Sequence, residues 1–145
     1  MDMSYPAAFM IITAGVLIST LKKKLTVAAA FTGGIISMII FWSTGFTGLA
    51  LLGPFFILGS GATAWKLDTK KQAGLAESRN GRRDVGQVLA NAGVAAILSL
   101  FAKYCANTPD MAQLMIASGF SAAAADTLSS ELGNVYGKQY YHILS

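Results

Sequence analysis

Charge is almost missing from five long stretches of this 145-residue chain, and that spacing limits what it can fold into. Residues 5–21 carry no Asp, Glu, Lys or Arg, and the stretch stops abruptly at Lys22, Lys23 and Lys24. Further runs cover 25–42, 46–65, 85–104 and 111–125, and Lys103 is the single charge within them. A lysine held in hydrocarbon costs several kcal/mol, so each run reads as a helix that crosses a membrane with its ends set by charge. At about 1.5 Å per residue the first run reaches roughly 25 Å, close to a bilayer core of about 30 Å if its lysines snorkel.

Composition removes the other classes. Hydrophobic residues make up 54% of the chain and charged ones 12%, about half the share found in a soluble domain. That leaves too much apolar surface for one soluble core and excludes disorder; the lone Cys105 excludes a disulfide scaffold. Asp2 and the lack of a basic leader argue against a signal peptide. The expected fold is all-α: one domain over 1–145, a polytopic membrane bundle of about five transmembrane helices. Ser43, Thr44 and Gly45 are expected to turn the chain between the second and third spans, and Pro54 to kink the third. The fifth run is short and is expected to continue through the polar residues behind it, with those turned away from lipid.

The net charge of +4 would fit nucleic acid if the basic residues were not clustered at span ends. Five alternating spans put ten of the eleven Lys and Arg on one side and leave Lys103 alone on the other. The positive-inside rule then places the N-terminus outside, the basic loop 66–84 and the motif 126–133 in the cytoplasm, and the protein in the cell (inner) membrane. No nucleic-acid partner is implied.

Two polar islands hold the candidate chemistry. In the stretch 62–93, nine residues are charged, with Asp68, Glu77 and Asp84 among the cations. A basic patch for anionic headgroups does not need those carboxylates. Arg82 and Arg83 follow an Asn80–Gly81 turn, and paired guanidinium groups suit phosphate oxygens. Arg83, Gln87 and Asn91 are spaced i, i+4, i+8, one stripe of a helix entering the membrane. Such a stripe serves either helix–helix hydrogen bonding or a site. In the second island Asp126 follows an apolar run directly, and an ionisable group at membrane depth is a functional candidate. It shares a helical face with Ser129 and Ser130, whereas Glu131 points away, so the helix must end or bend if both carboxylates serve one site. Carboxylates and hydroxyls there would suit Mg²⁺ on a nucleotide, and an ion pair from Asp126 to Arg83 is the structural alternative. Cations, carboxylates and an apolar cleft together fit phosphoryl transfer to a lipid-soluble acceptor, although no Walker loop is present.

Both islands, ATAWKLDTKKQAGLAESRNGRRDVGQVLANAG and AAAADTLSSELG, resemble a family of polytopic membrane proteins long catalogued as a domain of unknown function. It includes the phytyl-phosphate kinases of plants and cyanobacteria and the animal transmembrane protein nineteen. The resemblance places Lys66, Lys71, Glu77, Arg82, Arg83, Gln87, Asn91, Asp126, Ser130 and Glu131 at motif positions. It implies a kinase that converts an isoprenoid monophosphate to the diphosphate with CTP or another nucleoside triphosphate. Lys66, Lys71, Arg82 and Arg83 would bind phosphates, Asp126 and Glu131 would hold Mg²⁺ or assist the nucleophile, and Gln87 and Asn91 would orient the acceptor. The partners implied are membrane lipid, a nucleoside triphosphate and an isoprenoid phosphate; a homo-oligomer is left open, since the sequence does not supply the oligomeric state. Relatives usually continue beyond the position of Ser145 with a Gly-rich segment and further spans, so the expectation is either a part of a larger bundle or a chain whose missing piece comes from elsewhere. The rival functions are a transporter with Asp126, Gln87 and Asn91 along its pathway, and a noncatalytic membrane subunit.

Overall fold

The structure, a computed structural model, describes residues 4–76, 81–105 and 109–137; Glu77 lies outside them. Five helices follow in order: α1 (Ser4–Leu21), α2 (Val27–Ala64), α3 (Leu67–Gln72), α4 (Val85–Cys105) and α5 (Pro109–Tyr136). Apart from one isolated bridge, the described residues hold no β-structure. The chain is an all-α membrane bundle, and α1, α2 and α4 are each long and apolar enough to cross a bilayer.

α2 supplies two crossings. Its 38 residues would extend about 57 Å if straight, nearly twice a bilayer core. The backbone reverses at Gly45, where φ is 65° and ψ is −150°, a region open essentially to glycine alone. Residues 27–44 and 46–64 then pack as two antiparallel halves. Ser43 and Thr44 do not form the expected turn: they stay helical, their hydroxyls donating to the carbonyls of Ile39 and Ile40. Pro54 lies within helical backbone in the second half, and the one residue of α2 with non-helical dihedrals is Gly45.

The core forms where both halves of α2 meet α4 and α5. Ile36, Ile40, Phe55, Ala95, Ile116 and Phe120 are buried together, and the Phe55 and Phe120 rings lie 5.2 Å apart. Small residues allow this approach: Gly119 of α5 lies against Ala95 and Leu98 of α4, where an added Cβ would be in ordinary contact at 3.4–3.8 Å. α1 packs on α2 and leaves Phe9, Met10, Leu17 and Ile18 exposed, as lipid requires. α5 is the polar member of the bundle, with its apolar half in the core and its polar half at the end reached by the basic loops.

At that end the α1–α2 turn, residues 65–76 and 81–84, and the last turns of α5 come together. Lys103 sits at the other end, its ammonium 3.8 Å from the centre of the Trp42 ring. The charge separation read from the sequence is thus a separation between the two ends of the bundle.

Candidate functional site

Arg83 is the centre of the polar end. It is the last residue but one before α4, and a reciprocal cap fixes its position: Asp84 Oδ1 accepts from the Gln87 backbone N–H, and Gln87 Oε1 accepts from the Asp84 N–H, both at 3.0 Å. This is a capping box built from acid and amide, and it satisfies donors that a helix start leaves open. The Arg83 backbone is also tied to the α1–α2 turn. Its N–H donates to Lys24 O at 3.0 Å, and its carbonyl accepts from Thr26 N–H at 3.1 Å.

The guanidinium is held as firmly. Arg83 is 6% exposed, and its Nη2 donates to Thr63 Oγ1 at 3.2 Å. It crosses α2 over Gly59, where a Cβ would lie 2.7 Å from Nη2 and 2.8 Å from Nη1, so only a glycine leaves room for it. Thr63 connects this group to a second one. Its carbonyl accepts from Lys70 Nζ at 2.8 Å, and Lys70 also donates to Ala62 O at 3.1 Å and to Glu131 Oε2 at 2.6 Å. Lys70 is 1% exposed, and all three of its protons have acceptors. Two of those acceptors are carbonyls in the last turn of α2, the negative end of its dipole. The pair therefore clamps α3 and α5 onto the end of α2.

Two cavities meet at Arg83. One, of about 210 Å³, is a cleft between α1, both halves of α2 and α4, with apolar walls such as Ile12, Val16, Leu52 and Phe56. Arg83, Gln87 and Asn91 line one side of it, so the predicted stripe faces a cavity and not lipid. The other, also of about 210 Å³, is a polar mouth lined by Lys22, Lys23, Lys24, Ser60, Thr63 and Arg83. An apolar cleft beside a cationic mouth is the shape of a site for an amphiphilic anion.

The two sequence islands do meet, through Lys70 and Glu131. Asp126 is exposed on α5 and lines neither cavity. α5 continues without a break through both carboxylates, leaving Asp126 and Ser130 on its exposed side and Glu131 on its buried side against Lys70. A Mg²⁺ held jointly by Asp126 and Glu131 does not fit this arrangement. Among the described residues no group of three or more His, Cys, Asp or Glu is gathered as for a metal. Lys66 and Lys71 are exposed; Lys66 stacks its ammonium 4.7 Å from the Tyr136 ring centre. Arg82 is half-buried and lines neither cavity.

Sequence reasoning passed over Lys70, Ser60 and Thr63. Lys70 and Lys71 are indistinguishable by type and neighbourhood, and the phase of a six-residue helix decides which is buried. Ser60 and Thr63 did carry a signal: two hydroxyls at i, i+3 beside Gly59 within an apolar run mark a polar face.

Comparison with known proteins agrees with this architecture. The model of the integral membrane protein family DUF92 matches residues 10–145. The chloroplastic protein VTE6 of Arabidopsis thaliana is 35% identical over 118 residues, covering 79% of this chain and 34% of that protein. An uncharacterized membrane protein of Synechocystis is 32% identical over 126 residues, covering 84% of this chain and 48% of that protein. The chain thus spans between a third and a half of the length of these curated relatives. No solved structure matches it. A match of this extent, on a multi-pass bundle whose two polar islands join at one end, places the chain in the DUF92 family of integral membrane proteins.

Proposed function

We propose that the chain binds an isoprenoid phosphate and takes part in its phosphorylation by a nucleoside triphosphate, with CTP the expected donor. One observation carries this reading: Arg83, buried and rigidly placed, lines both an apolar cleft inside the bundle and a cationic mouth at its end. A prenyl chain has the apolar surface that matches the cleft, and a phosphomonoester has the paired oxygens that a guanidinium binds well. The likeness to the phytyl-phosphate kinase family supports the choice of a prenyl acceptor.

In the proposed reaction an oxygen of the acceptor monophosphate attacks the γ-phosphorus of the donor. A new P–O bond forms, the bond from the γ-phosphorus to the β,γ-bridging oxygen breaks, and the nucleoside diphosphate leaves. The monophosphate becomes a diphosphate. Arg83 orients the attacking phosphate and stabilises its charge, while Asn91 and Gln87 mark the polar wall along which the first isoprene units enter. Asp126, Ser130, Lys66 and Lys71, outside both cavities, do not touch the acceptor in this reading.

The test is turnover of phytyl or geranylgeranyl monophosphate by the protein in liposomes, with CTP, ATP, GTP and UTP supplied in turn alongside Mg²⁺. Formation of the prenyl diphosphate supports the proposal. Tight binding of the monophosphate without turnover by any donor reduces the chain to a lipid-phosphate-binding subunit, and absence of both ends the reading.

A further inference from the structure

We infer that the polar mouth is a phosphate-binding cup in which the Ser60 hydroxyl and the Lys22, Lys23, Lys24 turn grip the anion together with Arg83. Neither the turn nor Ser60 belongs to the motif positions that the sequence marks, and a triplet of lysines at a span end is accounted for by topology alone. Three observations go further.

First, Ser60 Oγ is a buried polar atom without a hydrogen-bond partner among the described residues, on a side chain that is 8% exposed and lines the mouth. Serines inside helices commonly donate to the carbonyl one turn back, as Ser19, Ser37 and Ser43 do here. Leaving a buried hydroxyl unpaired is costly, so an acceptor is expected in front of it.

Second, the turn is built at a cost that helix termination does not require. Lys24 N–H donates to Ser19 O and Lys23 N–H to Thr20 O, which closes α1 in a Schellman motif. The left-handed residue of that motif, normally glycine, is Lys23, with φ of 54°. A lysine there is disfavoured against glycine, and strained backbone of this kind collects at binding sites.

Third, the turn is fastened to Arg83 by two backbone hydrogen bonds, and the three lysines and Arg83 line one space. Among the described residues, the lining of the mouth includes four cationic residues and no carboxylate. A cavity of about 210 Å³ has room for more than one phosphoryl group. The ligand class is therefore a phosphate or diphosphate, either free or as the head of a lipid. The anion chemistry stands on the mouth itself and rests on the proposed function only for the tail that would occupy the neighbouring cleft.

The experiment measures equilibrium binding of inorganic pyrophosphate and of geranylgeranyl diphosphate to the whole protein in nanodiscs at low salt. Ser60→Ala is expected to weaken binding roughly fivefold, the loss of one hydrogen bond. Lys23→Gly is expected to weaken it three- to tenfold while raising thermal stability, because glycine relieves the left-handed position. A merely structural turn predicts the opposite pairing, higher stability with unchanged affinity, and that result overturns the inference. Lys103→Gln removes the same charge at the far end and should leave binding as it was; an equal loss there would reveal bulk electrostatics and overturn it as well. Should Ser60→Ala fail to fold, Lys23→Gly decides alone. Equal affinity for the two probes means that the cup takes free anion; preference for the prenyl diphosphate means a lipid head. Absence of turnover in liposomes would sink the kinase reading without touching these affinities.

Discussion

A buried lysine whose three protons are all accepted is a structural commitment, and Lys70 makes it between α2, α3 and α5. Removing one member of a buried ion pair strands the other, at about 3–5 kcal/mol. Lys70→Met should therefore lower the unfolding midpoint in detergent markedly, whereas Lys71→Met, on an exposed side chain, should not shift it measurably. A different result is expected one turn back on α2. In Gly59→Ala the new methyl meets the tips of a flexible arginine and not backbone, so the helix survives and the Arg83 guanidinium moves. Lipid-phosphate binding should fall about tenfold or more, as when a charged hydrogen bond is lost, with the helical circular dichroism unchanged. Neither outcome was legible from residue type, because Lys70 and Lys71 differ only in which way a short helix turns them.

Among the elements, the α2 reversal is the most demanding. Gly45 holds a conformation that other residues enter at about 1–3 kcal/mol, and Gly45→Ala should destabilise the protein by that amount in equilibrium unfolding. The uncharged runs on either side announced two spans, yet the turn takes one residue where a longer link was expected, since Ser43 and Thr44 find their acceptors within the helix. The start of α4 is a local feature that the sequence displayed in full. Asp84 and Gln87 have capping-box spacing, and Asp84→Ala should cost about 1 kcal/mol of stability. It should also loosen Arg83, which a lowered affinity for lipid phosphate would report.

For the molecule as a whole, the two ends of the bundle carry different chemistry, and the positive-inside rule gives that difference a direction. Cys105, exposed at the end that holds Lys103, should react with a membrane-impermeant maleimide in intact cells. In a Cys105→Ser background, Lys71→Cys should react after permeabilisation and not before. The reverse pattern would invert the orientation while leaving the fold as it stands. The polar face of α5 with Asp126 belongs to this scale too, since its exposure is a property of how the bundle is assembled and not of the helix.

The sequence by itself determined the membrane class, the order of the apolar helical runs, the clustering of charge at one end and the stripe of Arg83, Gln87 and Asn91. These follow from one-dimensional spacing, because hydrocarbon rejects charge residue by residue and helical period fixes which side chains share a face. The tertiary structure decided which polar groups meet. It paired Glu131 with Lys70, turned Asp126 outward and away from both the Mg²⁺ role and the alternative ion pair with Arg83, and brought the α1–α2 turn and Ser60 to Arg83. Those choices depend on the rotation of each helix about its axis, and packing of small residues across three or four helices sets that rotation, which no single segment encodes.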